Sequence, residues 1–340
     1  MRRYRLQGPA GGDRLQLTET PRPEPGPRDV LVRIGAVSLN YRDLMVFENR
    51  YAGGGVRDGL VPCSDGAGTV VAVGDQVDRL AVGDRVAGLF LPRWQGGPYD
   101  ERYGQDALGG GRDGVLADYV LFDQEALVAV PPHLSLIEAA CLPCAALTAW
   151  NALFGGDPLV PGQDVLLLGT GGVSLFALLF ARMTGAHTIL LTTRADKRAR
   201  ALDLGADAVI VRSEVPDWPS AVRALTGGQG ADHVVEVVGG ANVGASVQAC
   251  RNGGQVHLIG AQASGDIDPT ALRRRNVVLR GLYVGSRSQF QAMNRALTRS
   301  GARPVVDTVF PFEAAAEAYR HLRSGVHLGK VVISLDPATV

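Results

Sequence analysis

The sequence predicts an α/β protein of two domains, a small β-rich one and a parallel sheet covered by helices on both faces. Three observations carry this. The chain has 340 residues, more than one hydrophobic core usually serves. Residues 1–126 are rich in Gly, Pro and Val and break into short β-branched runs such as "DVLVRIGAVSLN", "GAGTVVAVGDQV" and "GDRVAGLFL", the pattern of a small β-domain. From residue 127 the runs "DVLLLG", "TILLTT", "DAVIV", "HVVEVV", "QVHLIG" and "VVLRGLYV" alternate with helical stretches. Near-continuous apolar strands of that kind form a parallel sheet buried on both sides, and six in succession fit a doubly wound fold. The stretch "FPFEAAAEAYRHLRSGVHLGKVVISL" supplies one more helix and strand, read as returning to the first domain. The expected division is therefore 1–126 with 303–340, and 127–302.

Composition narrows the function. The chain is 46% hydrophobic and 20% charged, and 34 Lys and Arg balance 34 Asp and Glu. That balance offers no electrostatic footprint for nucleic acid or an anionic membrane surface. No apolar run is long enough to cross a bilayer, and "MRRYRLQGPAGGDRLQL" lacks the apolar stretch of a signal peptide. The cysteines, Cys63, Cys141, Cys144 and Cys250, do not make a disulfide framework. A cytoplasmic protein is expected. Residues 93–115 read as a long polar loop, functional or mobile.

The strand-to-helix segment "LLLGTGGVSLF" carries the first chemical signal. In a G-x-G-x-x-G dinucleotide loop the first glycine makes the turn, the second lets backbone approach the pyrophosphate, and the third packs helix on strand. Gly169 and Gly171 meet the first two demands and Gly172 adds room. Ser174 takes the packing position as a small substitute. Thr170, Val173 and the following helix N-terminus complete a phosphate site. The next strand ends "LLTTRADKRAR", where an NAD site would place an acid for the ribose 2′-OH. Thr192, Thr193, Arg194 and Lys197 are read as supplying hydroxyls and two cations but no acid. That suits the 2′-phosphate of NADPH; the alternative is a solvated basic helix start.

With both halves in view, "LNYRDLMV", "DGAGTVVAVGDQVDRLAVGDRV", "LPCAALTAWNAL", the GTGGVS loop and "GKVVI" make the chain resemble the medium-chain dehydrogenase/reductase superfamily over essentially its whole length. Within it the chain is similar to the zinc-independent branch of quinone oxidoreductases and enoyl reductases. The resemblance implies a GroES-like catalytic domain, a Rossmann domain, an active site in the cleft between them, and a homodimer. Zinc members carry three ligands at positions where this chain has Asn40, Ser64 and Cys144, so no catalytic zinc is expected. A residual site built from Cys63, Asp65 and Cys144 stays open as an alternative. Cys141 and Cys144 are expected to be buried, unreactive thiols rather than a redox pair. The resemblance also places Asn40 and Tyr41 by nicotinamide and substrate, Tyr51 as proton donor and Thr148 on the cofactor. Val238-Gly239, Ile259-Gly260 and Gly285-Ser286-Arg287 are expected at strand ends near the nicotinamide. His133, His187, His233 and His257 read as turn or packing residues.

Without a metal Lewis acid, oxidation of an unactivated alcohol is disfavoured. Hydride delivery to an electron-poor acceptor needs only hydrogen-bond donors and a proton source. The expected function is NADPH-dependent reduction of a quinone or an α,β-unsaturated carbonyl. Two alternatives remain: an alcohol dehydrogenase or carbonyl reductase, and a non-catalytic NADPH-binding sensor or structural protein. Loops 48–60 and 93–115 line the expected pocket without a readable substrate code.

Overall fold

The structure, a computed structural model, describes residues 1–8, 14–51, 55–260 and 265–336. The chain forms two compact units, Met1–Leu147 with Gly285–Val340, and Thr148–Val284. Among the described residues no helix is long and apolar enough to cross a membrane.

In the first unit β1 (Arg2–Leu6) and β2 (Leu15–Glu19) pair as an antiparallel ribbon. Then follow β3 (Asp29–Leu39), β4 (Asp65–Val73), β5 (Arg85–Gly88), β6 (Tyr119–Asp123) and β7 (Leu127–Ala129). The second unit contains β8 (Asp164–Leu168), β9 (His187–Thr192), β10 (Ala208–Val211), β11 (Ala231–Glu236), β12 (Cys250–Leu258) and β13 (Val278–Gly281). The chain then returns to the first unit with β14 (Val306–Pro311) and β15 (Lys330–Ser334).

The sheet of the first unit runs β14-β15-β3-β4-β5-β7, with β6 also on β3. The long β3 organises it: one end pairs β6, the other β15, and β4 lies along its length. Apolar residues from these strands, among them Val32, Ile34, Val70 and Ile333, pack with Phe312 and Tyr319 into one core. The segment 93–115, expected as a polar loop, is folded. It contains the short helix Glu101–Gly104, Trp94 lies edge-on to Tyr99 and stacked on Tyr103, and Leu108 and Val115 are buried.

The second unit is the six-stranded parallel sheet β10-β9-β8-β11-β12-β13. All six strands expected from the sequence are present, in the doubly wound order. Helices Gly172–Thr184, Trp218–Leu225 and Asn242–Ala249 are among those connecting them. Leu166, Ile189, Val234, Val256 and Trp218 share a core cluster, as the apolar run of each strand requires. The strand order reverses between β8 and β11, and in such sheets ligands sit at the carboxyl ends beside that reversal.

The boundaries between units differ from those expected at 126/127 and 302/303: they fall at 147/148 and 284/285. Residues 127–147 stay with the first unit because β7 hydrogen-bonds β5. Helix Arg287–Ser300 joins them there, its Asn294 Nδ2 donating to the Ala129 carbonyl at 2.9 Å.

The helix Tyr41–Phe47 begins on Asn40, whose backbone N–H donates to Asp43 Oδ2 at 2.8 Å. Asp43 is wholly buried, and burial pushes its carboxyl from 3.8 up to about 6, against the pull of the Arg42 guanidinium. A raised folded-state value means the native protein holds a proton that the unfolded chain releases. Its contribution is complete below the unfolded value and is lost as pH rises through about 6. Asp43→Asn, which keeps an acceptor for Asn40, should therefore be close to neutral near pH 4. At pH 8 it should stabilise the protein by about 1–3 kcal/mol. Urea unfolding across that range measures the difference, and a constant difference at every pH would refute it.

Candidate active site

Two groups of residues, one in each unit, carry the candidate chemistry. In the second unit the glycine loop joins β8 to helix Gly172–Thr184. Gly169 adopts φ +79°, a conformation that side chains disfavour, and its N–H donates to the Leu191 carbonyl at 2.6 Å. A Cβ built on Gly171 meets nothing within 4 Å, so the backbone there faces open space. The helix has no side-chain N-cap, which leaves the N–H groups of its first turn for a ligand. Ser174 is 1% exposed and its Oγ donates to the Leu168 carbonyl at 2.5 Å. The third position thus ties helix to strand with a hydrogen bond where a glycine would do so by close approach. This cradle fits a dinucleotide pyrophosphate.

At the end of β9 the structure separates the two cations expected to act together. Thr193 and Arg194 are exposed. Lys197 is buried, and its Nζ donates to Thr170 Oγ1 of the glycine loop at 3.1 Å. The reading of this segment as free of acid needs correction. Asp196 accepts from Arg194 Nε at 3.0 Å and Nη2 at 2.6 Å. An exposed pair of this kind is screened by solvent, so it competes weakly with a phosphate for the guanidinium.

Beyond the reversal point, Glu236 ends β11 fully buried. Its Oε1 accepts from Val238 N and Gly239 N, and its Oε2 from Asn242 Nδ2 and Ser246 Oγ. Its carbonyl accepts from Ile259 N and Gly260 N. A Cβ on Gly260 would lie 2.3 Å from Val237 C, so only glycine allows that approach. Thr148 is buried in helix Leu147–Phe154. Val284 has φ +55°, unusual for a β-branched residue. Asn151 Nδ2 donates to its carbonyl at 2.7 Å, and Arg280 Nη2 donates to Asn151 Oδ1 at 2.8 Å. Gly285, Ser286 and Arg287 do not end a strand as expected. They belong to the first unit and start a helix, because Ser286 and Gln289 form a reciprocal capping box. Arg287 pairs there with Glu125.

In the first unit the positions of the expected metal ligands lie with two buried ionisable groups, Lys330 and Asp65. Lys330, 3% exposed, donates from Nζ to the Leu39 carbonyl at 2.6 Å and to Asn40 Oδ1 at 2.5 Å. Asp65, fully buried, accepts from Ser64 Oγ at 2.6 Å and from Cys144 N at 3.0 Å. Burial pushes the Asp65 carboxyl up, while Lys330, Ser64, Asn40 and Cys144 oppose the shift. Asn40 Nδ2 is buried without a hydrogen-bond partner; the Asp65 carboxylate feels the amide but closes no bond with it. Cys141 is buried as expected, whereas Cys144 is half-buried; burial pushes the Cys141 thiol up to about 11, and burial together with the Asp65 charge raises Cys144 well above its ordinary value. Cys63 Sγ lies 3.3 Å from Tyr319 Oη, in a separate contact. Among the described residues no group of three or more His, Cys, Asp and Glu side chains could hold a metal ion. Tyr41 is exposed. Tyr51 is half-buried, with the Arg42 guanidinium 4.5 Å above its ring.

Sequence reasoning passed over Lys330, Glu236 and Asp196. Signals existed for each: a lysine opening the apolar strand "KVVIS", a lone acid inside "HVVEVV", and an acid two residues from Arg194. His133, His187, His233 and His257 make structural contacts, to Ala302 O, Asp164, and between the last two rings.

Family models for an alcohol dehydrogenase GroES-like domain and a zinc-binding dehydrogenase match residues 26–132 and 172–299. A zinc-type alcohol dehydrogenase-like protein of Schizosaccharomyces pombe is 39% identical over 336 residues, 96% of this chain and 97% of that one. A Sinorhizobium meliloti 1021 protein solved as a candidate alcohol dehydrogenase superposes with a TM-score of 0.92 at 41% identity, covering 98% of each chain. A solved NAD-dependent alcohol dehydrogenase gives a TM-score of 0.88 at 34% identity, covering 99% of this chain and 100% of its own. With its GroES-like sheet, its Rossmann sheet and these matches, the chain belongs to the medium-chain dehydrogenase/reductase superfamily of oxidoreductases.

Proposed function

We propose that the protein is an NADPH-dependent reductase of quinones or α,β-unsaturated carbonyl compounds that works without a catalytic metal. The observation that carries this reading is the Lys330–Asn40 hydrogen bond beside Asp65. A catalytic zinc takes three protein ligands and keeps one position open. Here Asn40 Oδ1 already accepts from an ammonium, and the Ser64 hydroxyl donates to Asp65. A divalent ion would share that space with a buried lysine, so these residues do not fit it.

A bound nicotinamide supplies the hydride. The loop Gly169, Thr170, Gly171, Gly172, Val173 and Ser174 would hold the pyrophosphate, with Lys197 beneath it. Thr148, Val238, Gly239, Ile259 and Gly260 would line the nicotinamide end. Hydride addition to the β-carbon of an enone leaves charge on the carbonyl oxygen. Asn40 Nδ2, a buried donor with no partner, is suited to donate to that oxygen. Tyr51 is the proposed proton source, and Tyr41 the second candidate.

One observation favours a second reading. The relatives above are described as alcohol dehydrogenases, one of them NAD-dependent, which points to an alcohol–carbonyl pair and to NADH. Turnover on a panel of quinones, enones, aldehydes and alcohols with NADPH and NADH decides between them. Absence of turnover throughout would favour a binding role. Elemental analysis showing one zinc per active chain would overturn the metal-free reading.

For the cofactor, Arg194→Ala should weaken NADPH by about 1–3 kcal/mol, the loss of one charge-assisted partner, and leave NADH nearly unchanged. Asp196→Ala should act in the opposite sense, freeing Arg194 and tightening NADPH. Calorimetric titration of both cofactors measures this, and equal losses for the two would refute the assignment.

For the acceptor, Asn40→Ala should lower kcat on the order of 10²-fold with NADPH affinity intact. Tyr51→Phe should slow enone reduction more than quinone reduction, since a reduced quinone can take protons from water. Full activity of Tyr51→Phe on every acceptor would remove it from the reaction.

A further inference from the structure

Lysine is almost never fully buried unless it is paired, yet Lys330 opens a strand in which every residue is buried. Its ammonium offers three donors and no acceptor. Two go to the Leu39 carbonyl and Asn40 Oδ1, and Asp65 balances the charge. A side-chain amide can present either its oxygen or its NH2 in a given direction. With the oxygen held by a fixed cation, Asn40 has one orientation left, and its NH2 is the end without a partner. In the absence of Lys330 nothing holds the amide oxygen, and the amide can turn end for end to offer its NH2 to the Leu39 carbonyl that the ammonium now occupies.

We propose that Lys330 is a positioning residue that locks the Asn40 amide, so that its N–H donors are kept for the oxygen of the acceptor. This rests on the metal-free reading of the site, in which Asn40 touches the acceptor and Lys330 acts only through it. Lys330 is therefore a device for donor orientation, and the hydrogen bond to Asn40 matters more than the positive charge.

The test compares neutral replacements of similar length. Removing Lys330 alone would strand Asp65 as an uncompensated buried charge, so both variants carry Asp65→Asn. In D65N/K330Q the glutamine retains an N–H donor for Asn40; in D65N/K330M no donor remains. Each is measured with and without Asn40→Ala, using 2-cyclohexen-1-one and benzaldehyde as acceptors and titrating NADPH separately. Relative to D65N alone, kcat should fall on the order of 10²-fold in D65N/K330M and only a few-fold in D65N/K330Q, with NADPH affinity alike in both. Adding Asn40→Ala should cost little more in D65N/K330M but the full factor in D65N/K330Q. If Asn40→Ala costs the same factor in both backgrounds, Lys330 does not act through Asn40 and the proposal fails while the reading of Asn40 stands. Equal kcat for D65N/K330M and D65N/K330Q would also overturn the proposal. If Asn40→Ala in the otherwise unaltered chain leaves kcat untouched on both acceptors, the metal-free reading fails and the proposal falls with it.

Discussion

The carboxylate of Asp65 has no path to water, and the first unit is arranged around that fact. An isolated charge at such depth costs several kcal/mol after relaxation, so it must be shared among donors. The Ser64 hydroxyl and the Cys144 N–H donate to it, and the Lys330 ammonium and the Asn40 amide offset its charge from close by. They come from the start of β4, the π-type turn Leu142–Ala146, the first residue of β15 and the cap of helix Tyr41–Phe47. Four segments far apart in sequence are thereby held to one point. Any residue that contacts an acceptor from this side inherits its position from that electrostatic requirement.

The same cluster separates what the family determines from what single residues determine. Membership specifies two folded units, a parallel sheet with a glycine loop, and an oxidoreductase. It leaves the electrophile open, because the positions that could supply metal ligands here carry an amide, a hydroxyl and a thiol. The donor set decides the chemistry at that point, through the physical difference between an ammonium that donates and a metal that accepts.

The fold was legible because its signals are local. The six strands of the second unit announce themselves as apolar runs, and the glycine loop follows from the turn that Gly169 must make. Residues defined by long-range partners were not legible in the same way. Lys330 meets Asn40 across 290 positions, and Cys144 meets Asp65 across 79; no periodicity encodes such pairs. Gly285, Ser286 and Arg287 look like a strand end in sequence, since a short strand precedes them, but the capping box of Ser286 turns them into a helix start. Asp196 lies two residues beyond Arg194, past the strand end, and its pairing with that guanidinium depends on side-chain conformation that residue type alone does not encode.

Glu236 joins two loops through one residue. Its side chain holds the backbone of Val238 and Gly239, while its carbonyl holds Ile259 and Gly260. Neither loop can shift without breaking bonds to the same amino acid, so the ends of β11 and β12 behave as one rigid plate. A ligand settling there meets backbone that is already ordered and loses little conformational entropy in the protein. Its affinity then depends on how well it matches a fixed surface, which makes this edge of the sheet a gauge of ligand shape rather than a glove around it.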